Sequence, residues 1–230
     1  MKYPTFNEEK KLWKKGFNFV AGLDEAGRGP LAGPVTAAAV MIMPEHRSAK
    51  NVLGARPFAK IFDKNFGIRD SKQISLKKRE ELYDIIITHP NIKWGIGIVS
   101  EKIIDKINIL EATKLAMKKA VKNLKPDFLL IDGNFKIKSK IPQKSIIKGD
   151  QKVISISAAS IIAKVSRDRI MEEFHKKYPQ YRFDKHKGYP TKLHVKMLKK
   201  YGVCPIHRKF FSPVCEIIHQ KSRPAKRGGI

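Results

Sequence analysis

A chain of 230 residues with 42% hydrophobic content is long enough to bury one sizeable core and has the composition of an ordinary globular protein. Its 48 lysines and arginines against 21 aspartates and glutamates leave a formal charge of +27, so a polyanionic partner is expected, nucleic acid before an anionic membrane surface. No apolar run reaches the ~18 residues of a membrane span, no signal or lipidation motif is visible, and two cysteines make no disulfide framework. A cytoplasmic protein without membrane attachment is expected.

Residues 7–16 read as a short charged helix stopped by Gly16, an N-terminal helical extension over 1–16. Phe19 to Leu23 is a short apolar run that stops at Asp24-Glu25 and a glycine-punctuated turn, Gly27-Arg28-Gly29, which predicts a buried strand running into a backbone-rich loop. On a regular strand the two carboxylates point to opposite faces, so their joint use at one site calls for a strand end or a bulge. Carboxylates suit hard cations such as Mg²⁺ or Mn²⁺, and the N–H groups and guanidinium of Gly27-Arg28-Gly29 suit phosphate. Val35 to Ile42 is a second strand, rich in small residues that let a helix lie close. The pattern is lost over 44–69, a basic insertion placed to reach a ligand.

Ser75 caps a helix over 76–88, and Ile92 to Val99 is a strand. Ser100 opens a short helix and Asn108 a longer one through Leu124, ended by Pro126. Phe128 to Ile131 is a buried strand that again terminates at an acid, Asp132. The stretch 136–152 holds six lysines and one acid, Asp150, after Gly149. A long helix spans 153–177, a further helix runs over 191–201, and the basic tail from 217 is expected to be disordered. Cys204-Pro-Ile-His207 and Cys215-Glu-Ile-Ile-His219 carry a superficial zinc spacing, but too few residues separate the pairs for a finger.

Acids therefore end three apolar strands or loops in a chain that has few to spare: Asp24-Glu25, Asp132 and Asp150. Phosphodiester hydrolysis uses such a set because two cations about 4 Å apart stabilise both the attacking and the leaving oxygen of an in-line displacement. These segments resemble the bacterial ribonuclease HII family, the type 2 ribonucleases H. The resemblance is carried by Gly22 to Val35, Asp70-Ser71-Lys72, Ile107 to Leu110, Asp132-Gly133-Asn134, Lys148-Gly149-Asp150, Ser157 to Val165, Arg167-Asp168, His186 to Tyr189 and Pro205 to Arg208. It covers roughly residues 17–216, taken as one catalytic domain.

The resemblance implies an α/β, ribonuclease H-like fold, a mixed five-stranded sheet flanked by helices with a C-terminal helical portion. It implies a metal-dependent endonuclease, with Mg²⁺ or Mn²⁺, acting as a monomer on RNA–DNA hybrids and on duplex DNA that contains ribonucleotides. Cleavage 5′ to a lone ribonucleotide would leave 3′-hydroxyl and 5′-phosphate ends, serving ribonucleotide and primer removal. Carried over residue by residue, Asp24, Glu25, Asp132 and Asp150 hold metal and catalyse. Gly27, Arg28 and Gly29 read the ribose 2′-hydroxyl, Tyr189 stacks on the next sugar, and Ser71, Lys72 and Lys164 contact nucleic acid. Asp168 is a structural candidate. The chain departs from the family in the length of 44–69 and in Pro190 directly after Tyr189. Two rivals differ in class or substrate: a non-catalytic basic nucleic-acid-binding protein, and another ribonuclease H-like nuclease such as a junction resolvase.

Overall fold

In a computed structural model, residues 3–43 and 74–222 are described. The insertion expected over 44–69, and with it Ser71 and Lys72, lies outside the described residues. The centre is a mixed five-stranded sheet, β1 Val20–Ala26, β2 Val35–Ile42, β3 Ile92–Val99, β4 Phe128–Asp132 and β5 Gln143–Ile146, in the order β3-β2-β1-β4-β5. β1 pairs antiparallel with β2 and β2 with β3, whereas β4 runs parallel to both β1 and β5. β1 and β2 are joined by a short loop, β2 and β3 are consecutive strands, and the parallel step from β1 to β4 is reached through helices, as parallel crossovers usually are.

Alternation along β2 divides the core. Ala37, Ala39 and Met41 face α3 (Glu101–Val121) with Leu23 and Ile131, while Ala38, Val40 and Ile42 face α2 (Leu76–Thr88) and α4 (Ile154–Lys177). The three consecutive alanines of β2 are fully buried, so the small residues do admit helices closely on both sides. Gly22 does the same for β1: a Cβ there would overlap the backbone of Ser155 in α4. Asn108 (φ 65°) breaks α3, and its Oδ1 accepts from Leu110 N at 2.9 Å and Glu111 N at 3.1 Å, so it opens the second half as its sequence position suggested. Ser75 and Thr191 cap through their side chains, whereas Ser100 does so only through its carbonyl, to Ile103 N and Ile104 N.

Two expectations change. β1 does not end at Leu23 but continues regularly to Ala26, pairing Asp24 with Ala38 and Glu25 with Ala37, so no bulge separates the two acids. The N-terminal helix is present as α1 (Asn7–Lys14), where Leu12 packs with Val20, Leu130, Val153 and Ile156, and buried Glu9 accepts from Ser155 N at 2.9 Å. The expected tail from 217 begins instead inside α7 (Val214–Ser222), where Val214 and Ile217 pack on Leu31 and Leu198. Two further short helices, α5 (Phe183–His186) and α6 (Lys192–Tyr201), complete the C-terminal portion. Among the described residues no helix is long and apolar enough to cross a membrane.

Candidate active site

Parallel pairing of β1 with β4 puts Leu23 opposite Ile131, so the next residues on the two strands, Asp24 and Asp132, stand side by side where that pairing ends, toward the carboxyl end of both strands. Both share the strand parity of Gly22 and Leu130, which face α4. Asp24 is almost wholly buried, and its Oδ1 accepts from Glu25 N at 2.7 Å. Burial first, then the charges of Glu25 and Asp132, hold its carboxyl well above the usual range against a hydrogen bond from Ser160 of α4. A buried carboxyl whose ionisation is opposed by two neighbouring acids calls for a cation.

Asp150 reaches the same end by another route. Left-handed Lys148 (φ 55°) turns the chain after β5 into a single 3₁₀ turn, Gly149–Gln151, where Asp150 is buried. Gly149 N donates to Asp132 Oδ1 at 2.6 Å, which ties that turn to the end of β4. The parallel bridge of Thr5 to Val153, with Thr5 N donating to Lys152 O at 3.0 Å, braces it from the N-terminal side. Glu25 lies on the other strand parity and pairs with the Arg28 guanidinium at 3.3 Å, which stands 5.8 Å from the Phe135 ring centre.

These donors fit a divalent cation by their chemistry: all are carboxylates, and ionised Asp24 is disfavoured without a positive charge. Among the described residues, no three acidic, histidine or cysteine side chains are gathered closely enough to cage an ion unaided. Mg²⁺ needs no such cage, since it keeps several waters and takes one or two carboxylates with substrate phosphate.

The loop after β1 is built from inside by two arginines, both fully buried. Arg208 donates to the carbonyls of Gly27 (2.6 Å), Arg28 (3.0 Å) and Gly33 (3.0 Å). Arg167 donates to those of Pro34 (3.0 Å), Ala32 (3.1 Å) and Lys187 (2.9 Å). Charge-assisted bonds contribute roughly 1.5–3 kcal/mol each, enough in number to offset the several kcal/mol that burying a cation costs. Burial, then the neighbouring Arg167, pulls Arg208 down to about 9, so it stays charged at neutral pH. With Gly27 at φ +99°, a conformation that favours glycine, the inward-bound carbonyls of Gly27 and Arg28 turn the N–H groups of Arg28 and Gly29, both exposed residues, the opposite way. A side chain at Gly29 would meet nothing within 4 Å, so the approach is open.

Tyr189 joins this loop through its own neighbour: Leu31 N donates to Gly188 O at 2.8 Å. Its half-buried ring has Lys164 Nζ at 5.5 Å and Arg167 Cζ at 5.6 Å from its centre. Pro190 is absorbed in a tight turn, Thr191 N donating to Tyr189 O at 2.8 Å. Lys164 donates to Asp168 at 2.7 Å, and Asp168 also lies 3.9 Å from Arg79, which gives Asp168 a bracing role. Burial lowers the Lys164 ammonium from its ordinary value.

Sequence reading assigned no role to Arg167, Arg208, Ser160, His186 or His194, and considered His207 only within a superficial zinc spacing. One signal was available for Arg167, which continues the buried stripe Ile156, Ser160, Ala163 and Met171 at helical spacing. The zinc spacing dissolves: the His207 ring bonds Cys204 and His194, the Cys204 thiol is pushed up to about 11 by burial, and His219 is exposed.

Comparison with known proteins agrees with this geometry. The family model described as Ribonuclease HII matches residues 21–214. The chain is 49% identical over 212 residues to the ribonuclease HII of Chlamydia caviae, covering 91% of this chain and 92% of that one. It is 50% identical over 218 residues to that of Endomicrobium trichonymphae, covering 94% and 95%. The crystal structure of the ribonuclease H2 from Pyrococcus horikoshii OT3 superposes with a TM-score of 0.68 at 28% identity, covering 89% of this chain and all of that one. A ribonuclease HIII solved in complex with Mn²⁺ shares the fold at 16% identity and a TM-score of 0.65. With matching family, matching fold and acids gathered at the ends of β1 and β4, the chain belongs to the ribonuclease HII family and is a ribonuclease H-type hydrolase.

Proposed function

We propose that this enzyme is a divalent-metal-dependent endonuclease that cuts the RNA strand of RNA–DNA hybrids and cuts 5′ to a single ribonucleotide embedded in duplex DNA. The products carry 3′-hydroxyl and 5′-phosphate ends. The observation that carries the reading is the buried Asp24 beside Asp132, with the Gly27-Arg28-Gly29 loop following directly after the same strand.

Asp24, Glu25, Asp132 and Asp150 would hold Mg²⁺ or Mn²⁺, and the Mn²⁺ complex of the distant ribonuclease HIII supports that choice. When bound, such an ion supplies Lewis-acid stabilisation of the charge that develops on the phosphate and its leaving oxygen. The rest falls to the chain. Gly27, Arg28 and Gly29 read the 2′-hydroxyl through backbone groups, the feature that separates ribose from deoxyribose at a single site. Tyr189 packs on the following sugar, Lys164 meets the backbone beside it, and the basic surface neutralises phosphates. In this reading water is the nucleophile, and no covalent intermediate with the protein forms.

The test is one incubation series with Mg²⁺ or Mn²⁺: an RNA–DNA hybrid, a DNA duplex with one ribonucleotide, an all-DNA duplex and a four-way junction. Cleavage of the first two alone, 5′ to the ribonucleotide, supports the reading. Binding without cleavage, or cutting of the junction alone, overturns it.

A further inference from the structure

Behind Tyr189 lies a group of histidines for which the proposed chemistry has no use. His186, His194 and His207 are all buried, on α5, on α6 and on the segment that follows α6. The His186 and His194 rings stack at 4.2 Å with 12° between planes, and Phe183 packs edge-on against both. Three imidazoles in one apolar pocket need a complete hydrogen-bond account, and the distances supply one.

The account starts from groups that can only donate. Cys204 N lies 2.9 Å from His207 Nδ1, so that nitrogen accepts; the carbonyl of Cys204 is farther, at 3.4 Å, and already takes His207 N at 3.0 Å. A neutral His207 then carries its proton on Nε2. That nitrogen is 3.2 Å from His194 Nε2, which must accept, leaving the His194 proton on Nδ1. His194 Nδ1 is 3.0 Å from the carbonyl oxygen of Tyr189, an obligatory acceptor. The chain of donors closes without a conflict: Cys204 to His207 to His194 to Tyr189. His186 is fixed in the same manner, accepting from Gly188 N at 3.2 Å and donating to Tyr181 O at 2.8 Å.

We propose that His207 and His194 are positioning residues for Tyr189, forming a neutral two-imidazole relay whose tautomers are set at Cys204 and whose far end holds the Tyr189 carbonyl, and through it the ring, in place. The inference rests on the reading that Tyr189 contacts substrate. Its physical content is that His207 acts at a distance. With a ring that cannot donate at that position, His194 loses the partner that anchors its Nε2, so its ring is no longer held at both nitrogens and its grip on the Tyr189 carbonyl loosens.

The test is a set of single-turnover rates on a duplex with one ribonucleotide, with folding checked by circular dichroism. His207→Phe keeps the ring and removes the relay, and it is expected to slow cleavage about tenfold or more, since small misplacements of reacting groups cost up to about a hundredfold. His207→Gln, whose amide restores a donor near the Nε2 position, is expected to recover most of the loss. Because His207 acts through Tyr189, adding His207→Phe to Tyr189→Ala is expected to change the rate by less than about twofold. A role in stability alone moves the melting temperature and leaves the rate per folded molecule unchanged. A slow Tyr189→Ala with a normal His207→Phe overturns the relay and keeps Tyr189 at the substrate; a Tyr189→Ala that cuts at the wild-type rate overturns both. Independent of any variant, imidazole ¹⁵N spectra of the wild-type protein are expected to show Nε2–H at His207 and Nδ1–H at His194. The opposite tautomers contradict the proposal.

Discussion

Acid should destabilise this protein through the same buried histidines, by an amount the structure sets. Burial, then the neighbouring imidazoles, lowers His194 to about 4 and His207 to about 3, whereas both return to about 6.5 on unfolding. Below pH 6.5 the unfolded chain binds two protons that the folded protein does not, so stability rises with pH in that window. The contribution is fully present above pH 6.5 and is lost as the pH falls toward 4 and 3. Each group adds a slope of about 1.4 kcal/mol per pH unit, so moving from pH 7 to pH 5 removes about 4 kcal/mol, a large part of the 5–15 kcal/mol of a typical domain. Asp24 and Glu9 act in the opposite sense, since burial raises both and folded protein takes up their protons as the pH falls. A difference experiment removes them. Urea unfolding at pH 7, 6 and 5, followed by far-ultraviolet circular dichroism, should show wild type losing about 2 kcal/mol more than His207→Phe between pH 7 and pH 5. Parallel lines would mean that His207 is not held neutral, and the account of the pocket would fail.

Tyr189→Ala should lose at least tenfold in single-turnover rate on a lone ribonucleotide while melting within a few degrees of wild type; a folded variant with full activity removes Tyr189 from the substrate. Affinity should fall steeply with salt: if roughly five phosphates are neutralised, the log–log slope is about −4 to −5, and a flat dependence contradicts the basic surface as a backbone site. Asp24→Asn removes a carboxylate whose folded pKa is raised, so in chelator it should melt higher than wild type at pH 8 and show a smaller gain near pH 4. An equal gain at both pH values would show that ionisation of Asp24 is not what opposes folding.

Much of the site was visible in one dimension because its acids interrupt apolar strands. Asp24 and Asp132 follow runs of buried residues, and parallel pairing of those runs sufficed to bring them together. Asn108 was legible for a similar reason, a capping residue set between two helical periods. β5 was not: Gln143-Lys-Ser-Ile146 is a short edge strand with one apolar residue, and its pairing is decided by β4. Nor was the support behind the recognition loop legible. Arg208 is buried on backbone carbonyls distant in sequence, and the three histidines are buried on one another and on nearby backbone, so a linear pattern counts all four as surface. Glu9 misleads likewise, an acid in a charged helix that turns inward to reach Ser155 N.

The most direct test of the central claim, that the acids at the ends of β1 and β4 perform the cleavage while the basic surface binds, is a paired measurement on Asp132→Asn. The variant keeps the size of the side chain and an oxygen able to accept from Gly149 N, but it removes the charge. On a duplex with one ribonucleotide, the single-turnover rate in Mg²⁺ should fall by orders of magnitude, with the dissociation constant changed by less than about threefold. Cleavage at close to the wild-type rate would place the metal site elsewhere and contradict the account.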